Sequence, residues 1–117
     1  MNNPNERRNS KRRNFNYYMP ITDDDSQELV GHLTDISDFG IRADCLKAQM
    51  INQNYRLRLE LTSDIADKPF IIFSARAKWC REDKLTPNTY NVGFQIINLD
   101  PGDVRIINRL MEKYGTE

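Results

Sequence analysis

The sequence predicts an all-β domain closed by a C-terminal helix, a small antiparallel barrel or curled sheet of six strands. Two observations predict it. Short runs of alternating apolar and polar residues recur from Phe15 to Ile97, separated by Asp-, Ser-, Asn- and Gly-containing breaks. Only after Asp100 does the apolar period lengthen to that of a helix.

The elements follow in order. Residues 1–13 are polar, rich in Asn and Arg, and lack apolar periodicity, so alone they are expected to be a disordered arm ahead of a domain spanning 14–117. Phe15, Tyr17 and Met19 alternate with Asn14, Asn16 and Tyr18, a first strand ending near Pro20. Thr22 to Ser26, with Asp23, Asp24 and Asp25, reads as a solvated turn. Leu29 to Ile36 is the second strand, and Ile41, Ala43 and Cys45 against Arg42 and Asp44 form a half-buried third. The clearest alternation sets Tyr55, Leu57, Leu59 and Leu61 against Arg56, Arg58 and Glu60. In the fifth strand Ile71, Phe73, Ala75, Ala77 and Trp79 share one face, with Ser74, Arg76 and Lys78 opposite. Tyr90 to Ile97 is the sixth, with Val92, Phe94 and Ile96 on one side. Asp100 is then a helix cap, Pro101 suits the first position, and Asp103 adds charge to the first turn. Val104, Ile107, Met111 and Tyr114 follow at helical spacing, and Gly115 marks the stop.

At 117 residues the chain fits one domain with its own core. Its net charge is zero, but the sign is unevenly spread. Arg7, Arg8, Lys11, Arg12 and Arg13 face only Glu6, so the arm carries +4 and the remaining 104 residues −4. A basic arm on an acidic body marks a binding tail. No window is apolar enough to span a membrane and the start lacks a signal-peptide stretch, so a cytoplasmic location is expected. Cys45 and Cys80, the only cysteines, form no CxxC and stand beside no histidine cluster; reduced thiols are expected, with neither disulfide nor metal.

Two short polar motifs carry the chemistry. Arg8-Asn-Ser-Lys-Arg12 is an RxxxR within the arm, and Asp35-Ile-Ser37-Asp-Phe-Gly40 is a DxSxxG where a strand breaks. Arginine presents parallel N–H donors to a phosphate or to the O6/N7 edge of guanine. An extended arm puts Arg8 and Arg12 on one face; a helical turn makes them neighbours, so the spacing leaves both geometries open. Ionised Asp35 only accepts, and could take the N1–H and N2–H of guanine, while Ser37 donates or accepts. Gly40 allows a positive φ or a close approach to a ligand. Taken singly, an Arg-rich terminus is most often a solvated tail, and Asp-x-Ser most often satisfies its own turn.

RxxxR, a strand and then [D/N]xSxxG resemble the PilZ domain family, bacterial receptors for cyclic di-GMP. Arg8 and Arg12 match the first motif, and Asp35, Ser37 and Gly40 match the second without substitution. Ala75-Arg-Ala-Lys-Trp79 and Val92-Gly-Phe-Gln-Ile-Ile97 resemble the family's fifth and sixth strands. The resemblance covers residues 6–114 and implies a six-stranded antiparallel barrel with the arginine arm folding over its mouth on binding. It implies that the arginines take phosphates and guanine, and that Asp35 and Ser37 take the opposite guanine. Arg7, directly before RxxxR, is a further implied contact, since a cation there accompanies a stacked ligand dimer. The acidic Asp23–Asp25 run would repel such a ligand, and is expected at the far end of the first hairpin.

Trp79 is either a core or capping aromatic or a platform for guanine, worth ~1–3 kcal/mol per stacked base. His32, Asp35 and Ser37 lie too close along the chain to form a catalytic line. Arg42 follows the motif turn and either adds charge to the mouth or, the favoured reading, is a solvated strand face; Arg105, Arg109 and Lys113 read as the helix's wet face. The leading function is a non-catalytic receptor, without cofactor, that binds cyclic di-GMP and signals to a protein partner in trans. The alternative is a PilZ-like adaptor that binds protein but no nucleotide. Nucleic-acid binding has only the arm in its favour, because the body is acidic.

Overall fold

A computed structural model of the chain describes residues 19–36 and 40–114. Six strands, β1 (Pro20–Asp23), β2 (Leu29–Ile36), β3 (Gly40–Cys45), β4 (Asn54–Glu60), β5 (Phe70–Glu82) and β6 (Tyr90–Asn98), precede one helix, α1 (Pro101–Tyr114). The strands close into an antiparallel barrel in the order β1-β2-β3-β6-β5-β4. Closure removes every sheet edge, and the short β1 is the stave that joins β2 to β4.

Alternation explains the core. Leu33, Ile41, Ala43, Leu57, Leu59, Ile71, Phe73, Val92 and Phe94 are buried inside, whereas Arg42, Arg56, Arg58 and Arg76 occupy the intervening outward positions. Each large side chain so buried stabilises the fold by ~1.5–3 kcal/mol. The first described strand begins at Pro20, where the sequence pattern placed a strand's end, and takes in Thr22 and Asp23, which were expected in a turn. Ile21 is its buried residue, and proline is tolerated at a strand's first position. Phe15 and Tyr17 lie outside the described residues; Met19 is fully buried and its carbonyl accepts the Leu33 N–H at 3.0 Å.

The helix is capped as expected: Asp100 Oδ1 accepts the Gly102 N–H at 2.8 Å. Its buried face differs from the expected one. Asp103, Ile106, Ile107 and Leu110 turn inward, while Val104 is 42% exposed. Arg109 and Lys113 are not merely its wet face. Arg109 donates to the Ile65 carbonyl at 2.6 Å and Lys113 pairs with Asp64 at 2.7 Å, while Lys68 reaches Asp103 at 2.8 Å. The β4–β5 loop thus clasps α1, with Ile65 fully buried beneath it.

Antiparallel order sorts the connections to two ends. Met19, the end of β2 at Ile36, the start of β3 at Gly40, the β4–β5 loop and α1 share one end; the Asp24–Ser26 turn, the β3–β4 loop and the β5–β6 hairpin share the other. The acidic turn is therefore separated from Ile36, the last residue of β2, by about 23 Å, the rise of that strand.

Candidate ligand-binding site

Two β-bulges build the site. In β2 the register passes from Leu33↔Ala43 to Asp35↔Arg42, leaving Thr34 as the extra residue, and its Oγ1 donates to the Arg42 carbonyl at 3.1 Å. In β5 it passes from Ala77↔Phe94 to Trp79↔Gly93, leaving Lys78 extra. Each extra residue reverses the inward–outward alternation beyond it. Asp35, which simple alternation would place inside with Leu33, shares the outer face with Arg42. Trp79, expected on the same face as Ala77, likewise turns outward.

Both bulges deliver their residue to one row. Asp35 on β2, Arg42 on β3, Gly93 on β6 and Trp79 on β5 are successive cross-strand partners. The indole lies against the β6 backbone: a Cβ on Gly93 would stand 2.2 Å from Trp79 Nε1. Two guanidinium groups approach the same ring, Arg42 at 5.2 Å and Arg81 at 5.1 Å from the centroid. These are cation–π distances. Arg42, for which the sequence favours a solvated strand face over charge at the mouth, is thus part of the row; Gly93 lies in the sixth-strand segment without a role of its own, and Arg81 in no motif. What could have found them is the pairing of β3, β6 and β5, which one sequence does not display.

Asp35 is only 9% exposed, and its Oδ1 accepts the N–H of Ile36 at 2.8 Å. That bond fixes one carboxylate oxygen. Gly40, at the start of β3, does not have a positive φ, one of the two roles expected of it; no described glycine has one. It serves close packing, because a Cβ there would meet the Phe94 carbonyl oxygen at 2.3 Å. Asp35 and Gly40 thus stand on the facing ends of β2 and β3, and Met19, where the arm joins the described chain, is at the same barrel end. Arg7, Arg8, Arg12 and Ser37 lie outside the described residues.

The next row toward the far end is polar and mutually engaged. Asn91 Nδ2 donates to Asp44 at 2.8 Å and to Asp83 at 3.2 Å, and His32 lies 3.9 Å from Asp44. The N–H groups of Leu85 and Thr86 hold the Asp83 carboxyl below its usual range, helped by Asn91. Inside the barrel, burial pushes the Cys45 thiol up to about 12, reinforced by Cys80 and Asp44. Both cysteines are free, and a thiol so shifted stays protonated near neutrality. Among the described residues no cluster of three or more His, Cys, Asp or Glu could hold a metal, and no helix is long and apolar enough to cross a membrane.

A closed six-stranded barrel with a clasped helix, bearing a carboxylate, a guanidinium and an indole on one outer row, defines a small β-barrel domain with a candidate site on its wall. The sequence matches the PilZ domain model over residues 6–113, and the chain belongs to that family. Solved structures share the fold. The PilZ domain of YcgR from Escherichia coli, determined with c-di-GMP, superposes with a TM-score of 0.64 at 16% identity, over 83% of this chain and 80% of that one. The Bacillus subtilis inhibitor of motility MotI/DgrA gives 0.65 at 11% identity, over 88% of this chain and 49% of its own. MrkH of K. pneumonia in its apo state gives 0.68 at 17% identity, over 97% and 51%. This chain therefore spans about half the length of the latter two. No curated protein matches the sequence significantly.

Proposed function

We propose that the protein is a non-catalytic receptor for cyclic di-GMP. The observation that carries this reading is the convergence of Asp35, Arg42 and Trp79 in one outer row beside Gly40, in a chain that retains RxxxR and DxSxxG. Asp35 accepts the N1–H and N2–H donors of one guanine, and Ser37 adds a hydroxyl beside it. Trp79 stacks on a base and Arg42 supplies a fixed positive charge to the row. Arg8 and Arg12, with Arg7, take the phosphates and the O6/N7 edge of guanine. The arm orders over the outer face on binding, and the altered surface is read by a protein partner in trans. The c-di-GMP held by the YcgR PilZ domain, which shares this fold, supports the ligand class.

Calorimetric titration with cyclic di-GMP tests the reading. Micromolar binding is expected, and absence of heat through that range overturns it. A charge-assisted hydrogen bond contributes ~1.5–3 kcal/mol, so Arg8→Ala, Arg12→Ala and Asp35→Ala should each weaken binding about tenfold or more.

A further inference from the structure

Trp79 is the platform the receptor reading needs, yet its ring is not bare. Arg42 and Arg81 both lie against it, at 5.2 and 5.1 Å, and the backbone of Gly93 lies beneath. A base can stack only where one of these neighbours yields. The two arginines are not equivalent. Arg42 is half-buried in the middle of β3, with Asp35 and Gly93 as its cross-strand partners. Arg81 is exposed near the outer end of β5 and, among the described residues, makes no ion pair. A cation–π contact at an exposed site is weak, whereas a guanidinium–phosphate contact is a charge-assisted hydrogen bond of about twice the usual strength.

We propose that Arg81 is a displaceable cover of the Trp79 ring: its guanidinium leaves the indole when a purine base stacks there and turns to the ligand's phosphate, while Arg42 stays as the fixed side of the slot. This rests on the cyclic di-GMP reading and extends it to a residue outside both motifs. The exchange makes the ring unattractive to other planar molecules that bring no anion, because they would displace Arg81 without giving it a partner. Selection of a nucleotide over a nucleoside is the consequence.

Trp79 is the only tryptophan, so its fluorescence reads the site alone. In the ligand-free protein, acrylamide, a neutral contact quencher, is expected to reach the indole more efficiently in Arg81→Gln than in the unaltered chain. Unchanged quenching overturns the cover. By calorimetry, Arg81→Gln is expected to bind cyclic di-GMP about tenfold more weakly, and Arg81→Lys, which keeps the charge, to recover most of that loss. An Arg81→Gln protein that binds as tightly as the unaltered one overturns the hand-over to phosphate alone. A chain that binds no cyclic di-GMP overturns the hand-over and the receptor reading together, leaving the ligand-free quenching to decide the cover.

Discussion

A methyl group added at Gly40 and one added at Gly93 meet different kinds of neighbour. At Gly93 the obstacle is the pyrrole edge of Trp79, a partly exposed side chain and not backbone. At Gly40 it is the Phe94 carbonyl, backbone of the strand that β3 pairs with. Overpacking costs ~1–3 kcal/mol, and Gly93→Ala should fall near the lower end and Gly40→Ala near the upper. Urea unfolding measures the difference, and only Gly93→Ala should also shift Trp79 emission in the folded state. Equal costs would mean that the indole is held as rigidly as backbone. The same residues show what one sequence conceals. Asp35 and Gly40 were readable as a motif, but the face that Asp35 uses depends on Thr34 being skipped by the ladder. Trp79 was readable as a strand-end aromatic, but Lys78 reverses its side. Alternation counts residues; it cannot count the ones that pairing leaves out.

At the scale of elements, the strand ladder was largely legible because alternation and burial have the same cause. Strands β2 to β6 fall where the pattern puts them, within a few residues. Pro20 reads as a strand's end because proline cannot donate to a ladder, yet it stands at the first position of β1, where no donor is needed. The helix shows the opposite difficulty. Its cap and length were visible, but Asp103 disguised the inward face: a carboxylate belongs there only because Lys68 reaches it. This clasp should have a graded energy. Ile65→Ala empties a fully buried position and should cost ~2–5 kcal/mol. Asp103→Ala removes a first-turn anion and the Lys68 pair, for about 1 kcal/mol. Lys113→Ala removes a pair exposed on both sides and should cost ~0–0.5 kcal/mol. Unfolding midpoints that reverse this order would mean that α1 is held by its charges and not by Ile65.

At the scale of the whole molecule, the barrel separates the end that holds Asp35 and Gly40 from its acidic end, and one residue at the acidic end reinforces the β1–β4 ladder that closes the sheet. Asp24 follows β1, donates its N–H to the Arg56 carbonyl at 2.8 Å, and places its carboxylate 3.1 Å from Arg56 and 3.2 Å from Arg58. It therefore fastens the shortest strand to β4, and the negative run expected to repel an anionic ligand is partly neutralised far from the site. The Arg58 hydrogen bond is the first cause that lowers its carboxyl below the ordinary value of 3.8, opposed by desolvation and assisted by Arg56. The sign follows from linkage. A carboxyl that binds protons less tightly when folded stabilises the fold above its unfolded pKa, and that contribution is lost as the pH falls through the lowered folded value. Asp24→Asn should thus be less stable than the unaltered chain at neutral pH, with the gap closing in acid below the ordinary carboxylate range. Urea midpoints across that window measure it, and amide exchange should quicken first at Ile21 and Leu59, which face each other across the β1–β4 seam. Cyclic di-GMP affinity should not change in this variant, because about 20 Å of β2 separates the turn from Asp35. A loss of affinity comparable to that of Asp35→Ala would place the ligand at the wrong end of the barrel, and a stability gap that widens in acid would remove the Asp24–Arg58 pair as the seam's fastening.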